Sequence, residues 1–495
     1  MMKNYFVLLF IASVLYYGFV GNPDDKYTGV ERIKSENLLK TVTYLASPEF
    51  HGRLGGSEGY YKAAAYIAGE FKSLGLKPIG GDGYFQSFSI EYNEITGPCG
   101  FTKVNDDGTV KNYKLGDDYV CRGFTGSGKL SAEVVFVGYG FSFPEKGFDD
   151  YKDIDVKGKI VMMFKQTPGW KLGEEGWNQS LRNRAGIASS KGAVGIIFVS
   201  KPNDVNPQKP IGSTMDGEGE QIENLPMIHI DLPAAGELLT KSGIDLKSLQ
   251  TEIDDTKATK SFTTNQIVKI EVNAKYDKSG KTMNVAGLLE GSDPVLKNEY
   301  LIIGAHLDHV GGQAGEIYFP GANDNASGSA SVLEMARTFV KSGVKPKRSI
   351  VFILFSNEES GLNGAKFYAE NPLVPVEKTV AMFNNDCIGH GDSIQIGNGK
   401  SAPQLWQITR SIDSVYTKSM IMRTWNGGGA DAEPFHRKGI PCLYFVTYYS
   451  YTHLHLMSDK PETLNPDIFE KVCKLGYMSA FEVAMGNYKR ENVVN

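Results

Sequence analysis

Four apolar runs constrain this chain more than any other feature: "YLIIGAH" (300–306), "SIVFILFS" (349–356), "TVAMFNN" (379–385) and "PCLYFVTY" (441–448). They are apolar at nearly every position and not at every second one. Such strands are buried on both faces, as in a parallel sheet covered by helices. Helical segments alternate with them. In "ASGSASVLEMARTFV", Val332, Leu333, Ala336, Phe339 and Val340 share one face. Asn465 and Pro466 open a closing helix, and Ser57 is placed to cap an early one in which Ala64, Ile67, Ala68, Phe71 and Leu74 recur at helical steps. The spacing predicts a mixed, mostly parallel α/β sheet flanked by helices.

Between about 113 and 265 the texture changes. "AEVVFVGYG", "GKIVMMF", "AVGIIFVS" and "LPMIHID" are short β-rich runs separated by Gly, Pro and Asp turns. This reads as a β-rich domain inserted at 113–265 into an outer domain formed by 25–112 and 266–490. A chain of 495 residues exceeds one ordinary core, so two or three domains suit its length. His229 lies inside one of the inserted strands and receives no catalytic role. The loop "FHGRLGGSEG" carries His51 and Arg53, in a position to connect helices or to touch a ligand.

The first 21 residues pair one lysine with an apolar stretch too short for an ordinary membrane span. They read as a signal peptide or an N-terminal anchor, which puts the body outside the cytoplasm: periplasmic, extracellular or membrane-anchored. Any membrane attachment is expected through residues 6–20 alone. A net charge of −5 and a pI near 6.0 give no electrostatic basis for nucleic-acid binding. Five scattered cysteines exclude a disulfide scaffold, although Cys99 and Cys121 could pair in an oxidising compartment.

In open α/β sheets, ligands bind beyond the carboxyl ends of the strands. His306 and Asp308 stand at the first of these ends, Glu358 and Glu359 past the second, Asp386 past the third, and His453 and His455 past the fourth. Asp324, in "GANDNASG", stands at the entry to the long helix between the first two strands. Each alone has a plain explanation: Asp324 as a helix cap, Glu358 and Glu359 as a solvated pair. Together, imidazole and carboxylate groups without a cysteine are the ligand set of a divalent metal, above all zinc. Their number suits two ions sharing one carboxylate.

"AHLDH", "GANDNASG", "NEESGLNGAKFYA", "NNDCIG" and "HLMSD" resemble the ligand motifs of metallopeptidase family 28. This co-catalytic dizinc aminopeptidase family also includes the glutamate carboxypeptidase and transferrin-receptor branches. The likeness covers most of the chain, and the insert resembles a protease-associated domain. The resemblance implies a zinc peptidase catalytic domain holding two zinc ions, with peptides as substrates. It makes Asp324 the bridging carboxylate, with His306 and Asp386 on one zinc and Glu359 and His455 on the other. His455 is favoured over His453 because it stands four residues before Asp459. Glu358 becomes the general base, and Asp308 the partner of the far nitrogen of His306. A cis peptide is expected at Asp324–Asn325. Two positions depart from the family pattern: Leu454 stands where several relatives carry tyrosine, and Ala432 where they carry histidine. Oxyanion assistance then falls to His453 or to one of Tyr448, Tyr449 and Tyr451. His309, His390 and His436 are left as structural residues.

The leading expectation is an exported exopeptidase removing N-terminal residues. The alternatives are a carboxypeptidase or dipeptidase of the same family, or a receptor-like homologue without catalysis. A homodimer is left open.

Overall fold

The computed structural model describes residues 26–173, 176–177, 179–448 and 451–494. The leader at 1–21 lies outside the described residues, as does Tyr449. The apolar runs form the centre of a ten-stranded sheet. Its main strands are β1 (Phe85–Ile95), β2 (Ala274–Leu289), β3 (Tyr300–His306), β4 (Ser349–Phe355), β5 (Thr379–Asn385), β6 (Ser393–Gly397) and β7 (Cys442–Tyr448). Across the sheet the order is β1–β2–β4–β3–β5–β7–β6. Strand β3 runs parallel to β4 and β5, and β5 parallel to β7. Antiparallel strands flank this parallel core.

The continuous apolar sequence follows from burial on both sides. Leu301, Ile303 and Ala305 face one hydrophobic cluster, and Ile302 faces the other. Helices α1 (Ser35–Leu45), α2 (Glu58–Ser73), α3 (Gly328–Lys341), α5 (Pro403–Val415) and α7 (Pro466–Ala484) supply the first cluster; α4 (Asn363–Glu370) and α6 (Ala432–Arg437) supply the second. Each fully buried aliphatic side chain there contributes about 1.5–3 kcal/mol. The expected caps form: Ser57 Oγ accepts from Tyr60 N at 3.1 Å, and Asn465 Oδ1 from Asp467 N at 3.2 Å.

A second, eight-stranded sheet carries the insert. Strands Gly128–Val137, Ile160–Phe164, Gly195–Val199 and Met227–Ile230 are mutually parallel neighbours in that order. The sheet also takes in Gly100–Val104 and Val110–Asn112 before them and Ser261–Val272 after them. Limits drawn at 113 and 265 therefore cut through this sheet. The long strand Ser261–Val272 passes almost directly into β2, so no break in composition marks the crossing. No helix among the described residues is long and apolar enough to cross a membrane.

Candidate metal centre

The carboxyl ends of β3, β4, β5 and β7 converge, and these ends and the loops that follow them place six acidic and imidazole groups around one point. His306 closes β3, and Asp386 directly follows β5. Glu358 and Glu359 follow β4, and His455 lies in the loop beyond β7. Asp324 sits in the kinked turn Ala322–Ser327 that enters α3, and its peptide bond to Asn325 is cis. Asp324 does not cap that helix; Asn325 Oδ1 accepts from Gly328 N at 2.8 Å instead.

The two oxygens of Asp324 face different partners. Oδ1 lies 3.3 Å from His306 Nε2, which is 3.5 Å from Asp386 Oδ1. Oδ2 lies 3.1 Å from His455 Nε2, which is 3.0 Å from Glu359 Oε2. The residues thus fall into two groups joined through one carboxylate: His306, Asp324 and Asp386, and Asp324, Glu359, His455 and His309. Glu358 stands just outside the first group, its Oε2 3.9 Å from His306 Nε2.

The electrostatics follow from this crowding. Against the cost of burial, Glu358, Asp324 and Asp386 hold His306 well above the ordinary imidazole value. Burial likewise opposes His455, and Glu359 and Asp324 hold it high. Burial and Asp324 would raise Glu359, but His455 and His309 draw it down to about 2. Glu358 moves the other way. Burial pushes it well above the carboxylate range, and Asp431, Glu359 and Asp386 add to the push. Buried carboxylates in this number require cations. Asp386 Oδ1, both oxygens of Asp431 and His309 Nε2 have no hydrogen-bond partner although buried. Carboxylate oxygen and imidazole nitrogen in two linked groups fit zinc.

A surrounding layer fixes these groups. His306 Nδ1 meets the backbone carbonyl of Asp308 at 3.2 Å and lies 3.8 Å from its carboxylate. The expected imidazole–carboxylate bond is thus a bond to the main chain. The Asp308 carboxylate instead accepts from Glu358 N at 3.1 Å and Glu359 N at 3.4 Å, which sets the turn carrying both glutamates. Asp459 accepts from Asn323 N at 2.8 Å and Asp324 N at 3.1 Å, and Tyr451 OH donates to it. Tyr444 OH donates to Asp386 Oδ2 at 3.0 Å.

Several residues stand elsewhere than expected. Arg53 is fully buried and touches no open surface. It donates to the carbonyls of Leu45, Leu307, Pro320 and Gly321 at 2.7–2.9 Å, tying three loops together beneath the cluster. His309 belongs to the cluster, with Nδ1 2.8 Å from Glu359 Oε1. Sequence reading missed both roles; "AHLDH" contains the second histidine, but nothing in its spacing separates it from a turn residue. Of the oxyanion candidates, Tyr451 is committed to Asp459 and His453 Nδ1 to Ser458 Oγ at 2.9 Å; Tyr448 is exposed. The insert reaches the site through a short segment. Gly212 N donates to His455 O at 2.8 Å, and Thr214 Oγ1 to Glu359 O at 2.7 Å.

Residues 284–478 match the sequence model of peptidase family M28, and residues 130–238 that of the PA domain. A probable leucine aminopeptidase of Arthroderma otae is 26% identical over 43% of this chain; the chain spans 61% of that protein. A glutamate carboxypeptidase 2 homolog of Caenorhabditis briggsae is 23% identical over 89% of this chain and 66% of its own length. The zinc aminopeptidase of Bacillus subtilis superposes with a TM-score of 0.66 at 20% identity, over 94% of this chain and 98% of that one, a likeness that establishes the fold. Residues 284–478 are thus similar to peptidase family M28, and residues 130–238, ahead of them, to the PA domain.

Proposed function

We propose that the protein is an exported dizinc exopeptidase that removes N-terminal residues from peptides. The observation that carries this reading is Asp324, whose two oxygens face two separate sets of imidazole and carboxylate donors. His306, Asp324 and Asp386 would hold one zinc; Asp324, Glu359 and His455 would hold the other. Zinc bound there supplies Lewis acidity, which lowers the pKa of water and polarises a carbonyl.

The chain's own groups do the rest. Glu358 is left out of both sets and stands beside them, in reach of a water entering the cluster. Its carboxylate takes a proton from that water and returns it to the leaving amine. Asp308 keeps Glu358 and Glu359 turned in different directions by holding both their amides. His309 occupies Oε1 of Glu359 and leaves Oε2 facing His455.

An N-terminal ammonium suits the site better than a C-terminal carboxylate. Buried carboxylates crowd it, and Arg53, the guanidinium beneath it, is committed to backbone carbonyls. The name of the leucine aminopeptidase relative agrees with this; that of the glutamate carboxypeptidase relative supports the second reading, cleavage at the other end. Export rests on the leader sequence alone.

Paired peptides identical except for a free or acetylated N-terminus separate the readings, with chelated enzyme assayed before and after zinc is restored. Zinc-dependent cleavage of the free-amine peptide alone is expected. Cleavage of both moves the assignment to a carboxypeptidase, and cleavage of neither by folded protein contradicts a peptidase.

A further inference from the structure

Away from the metal centre, two thiols meet where the second sheet curls back on itself. Cys99 directly precedes strand Gly100–Val104, next to one edge of that sheet; Cys121 ends strand Tyr119–Cys121, its opposite edge. The curl brings these edges together: the rings of Phe101 and Tyr119 lie 5.6 Å apart. Cys99 packs against the apolar cluster that contains Cys121, Ile95 and Phe101. Gln313 pins the place from the main sheet. It pairs with Ile95, accepts from Cys121 N at 2.9 Å and donates to Cys121 O at 2.8 Å. By contrast, Cys442 and Cys473 are buried singly against backbone carbonyls, at 3.1 Å from Ile440 O and 3.9 Å from Ser331 O.

We propose that Cys99 and Cys121 form a redox site, closing to a disulfide when the chain meets a small-molecule or protein disulfide. Cys99 is partly exposed and Cys121 buried, so Cys99 reacts first. The neighbouring Cys121 side chain favours the Cys99 thiolate, which supports that order. The Cys99 thiol loses its proton and its sulfur attacks the incoming disulfide; one sulfur of that reagent leaves and is protonated. The Cys121 thiol then loses its proton and attacks the Cys99 sulfur of the mixed disulfide, and the second half of the reagent leaves as a thiol. Two electrons and two protons pass from the cysteine pair to the reagent, which ends as two thiols.

The bond would staple the seam of the curled sheet and close the loop between residues 99 and 121. It would also fix the strand that Gln313 holds, just ahead of Gly123, whose N–H donates to Ser213 Oγ at 2.9 Å beside the segment touching Glu359. The gain lies in stability, because none of the zinc-binding groups moves.

The test uses the full chain incubated with oxidised glutathione, blocked with an alkylating reagent and digested without reductant. Mass spectrometry is expected to find the Cys99 and Cys121 peptides joined, and to find them separate after dithiothreitol. The thermal midpoint of wild-type protein should fall by a few degrees on reduction, and that of the C99S/C121S double variant should not. Both cysteines alkylated after glutathione treatment, or either one joined to another cysteine, would overturn the proposal. So would a midpoint in the wild type that is insensitive to reduction. None of these readouts depends on peptidase activity.

Discussion

Two sheet edges in this molecule have the same geometry and opposite chemistry. In both, parallel strands end side by side and polar residues follow their carboxyl ends. At the main edge, imidazoles and carboxylates face one another, and His306 and His455 are held well above their ordinary values. At the edge of the insert, Lys165 follows Ile160–Phe164, Ser200 follows Gly195–Val199, and His229 lies in Met227–Ile230 beside them. There burial, Lys165 and Arg122 drive His229 well below its ordinary value, and its Nε2 meets Ser200 Oγ at 3.0 Å. Arg184 donates to the strand-end carbonyls of Tyr139 and Phe164 at 2.8 and 3.0 Å. The insert's edge closes its own backbone with cations; the main edge gathers anions that need them. Strand ends offer a place, and the sign of the charge placed there decides whether a metal can use it.

The largest contrast should appear between the two edge histidines. His455→Gln is expected to lose zinc and about 10²-fold or more of the activity, whereas His229→Gln leaves both intact and costs about 1 kcal/mol of stability. Metal analysis and kcat of the two variants check this; equal effects would erase the distinction. Arg53→Met takes the guanidinium from four buried carbonyls, of which Gly321 O keeps its bond from Ala326 N, and is expected to cost about 3–5 kcal/mol in urea unfolding. A loss under about 1 kcal/mol would remove Arg53 from the frame of the site. His309→Ala frees one oxygen of Glu359 and should weaken zinc about 10- to 100-fold without abolishing turnover at saturating metal. Complete loss at saturating zinc would make His309 indispensable.

The smallest effect is a pH slope. Burial, then Arg122, lowers Lys165 to about 7, against about 10.4 in an unfolded chain. Between those values the unfolded state binds more protons, so this residue makes stability rise with pH across that window. Its penalty is fully present below about 7. Lys165→Met should flatten the slope and leave peptidase activity unchanged. A slope identical to wild type would show that the lysine is not desolvated.

The legible part of this molecule is the part with a local signal. Apolar runs at every position announced β3, β4, β5 and β7, and the residues just past them are the ones the structure gathers. Asp324 was legible by its motif, and the division of its two oxygens between partners needed coordinates. His309 and Arg53 were not legible, because the partner of His309 lies 50 positions away and three of the four carbonyls that Arg53 reaches lie more than 250 away. The limits of the second sheet escaped for a different reason: Ser261–Val272 and β2 are both long alternating strands, and the chain changes sheet at a single residue, Asn273. Thr214 gave no sign at all of reaching Glu359, since a lone hydroxyl in a loop has many partners open to it.

The most direct measurement is the zinc content of chelated and reconstituted protein, compared among wild type, Glu358→Gln and Asp324→Ala. Two zinc ions per chain are expected in the wild type and in Glu358→Gln, with activity in the wild type alone. Asp324→Ala is expected to lose both ions together, because its carboxylate belongs to both groups. Independent loss of a single ion in Asp324→Ala, or full activity in Glu358→Gln, would contradict the account.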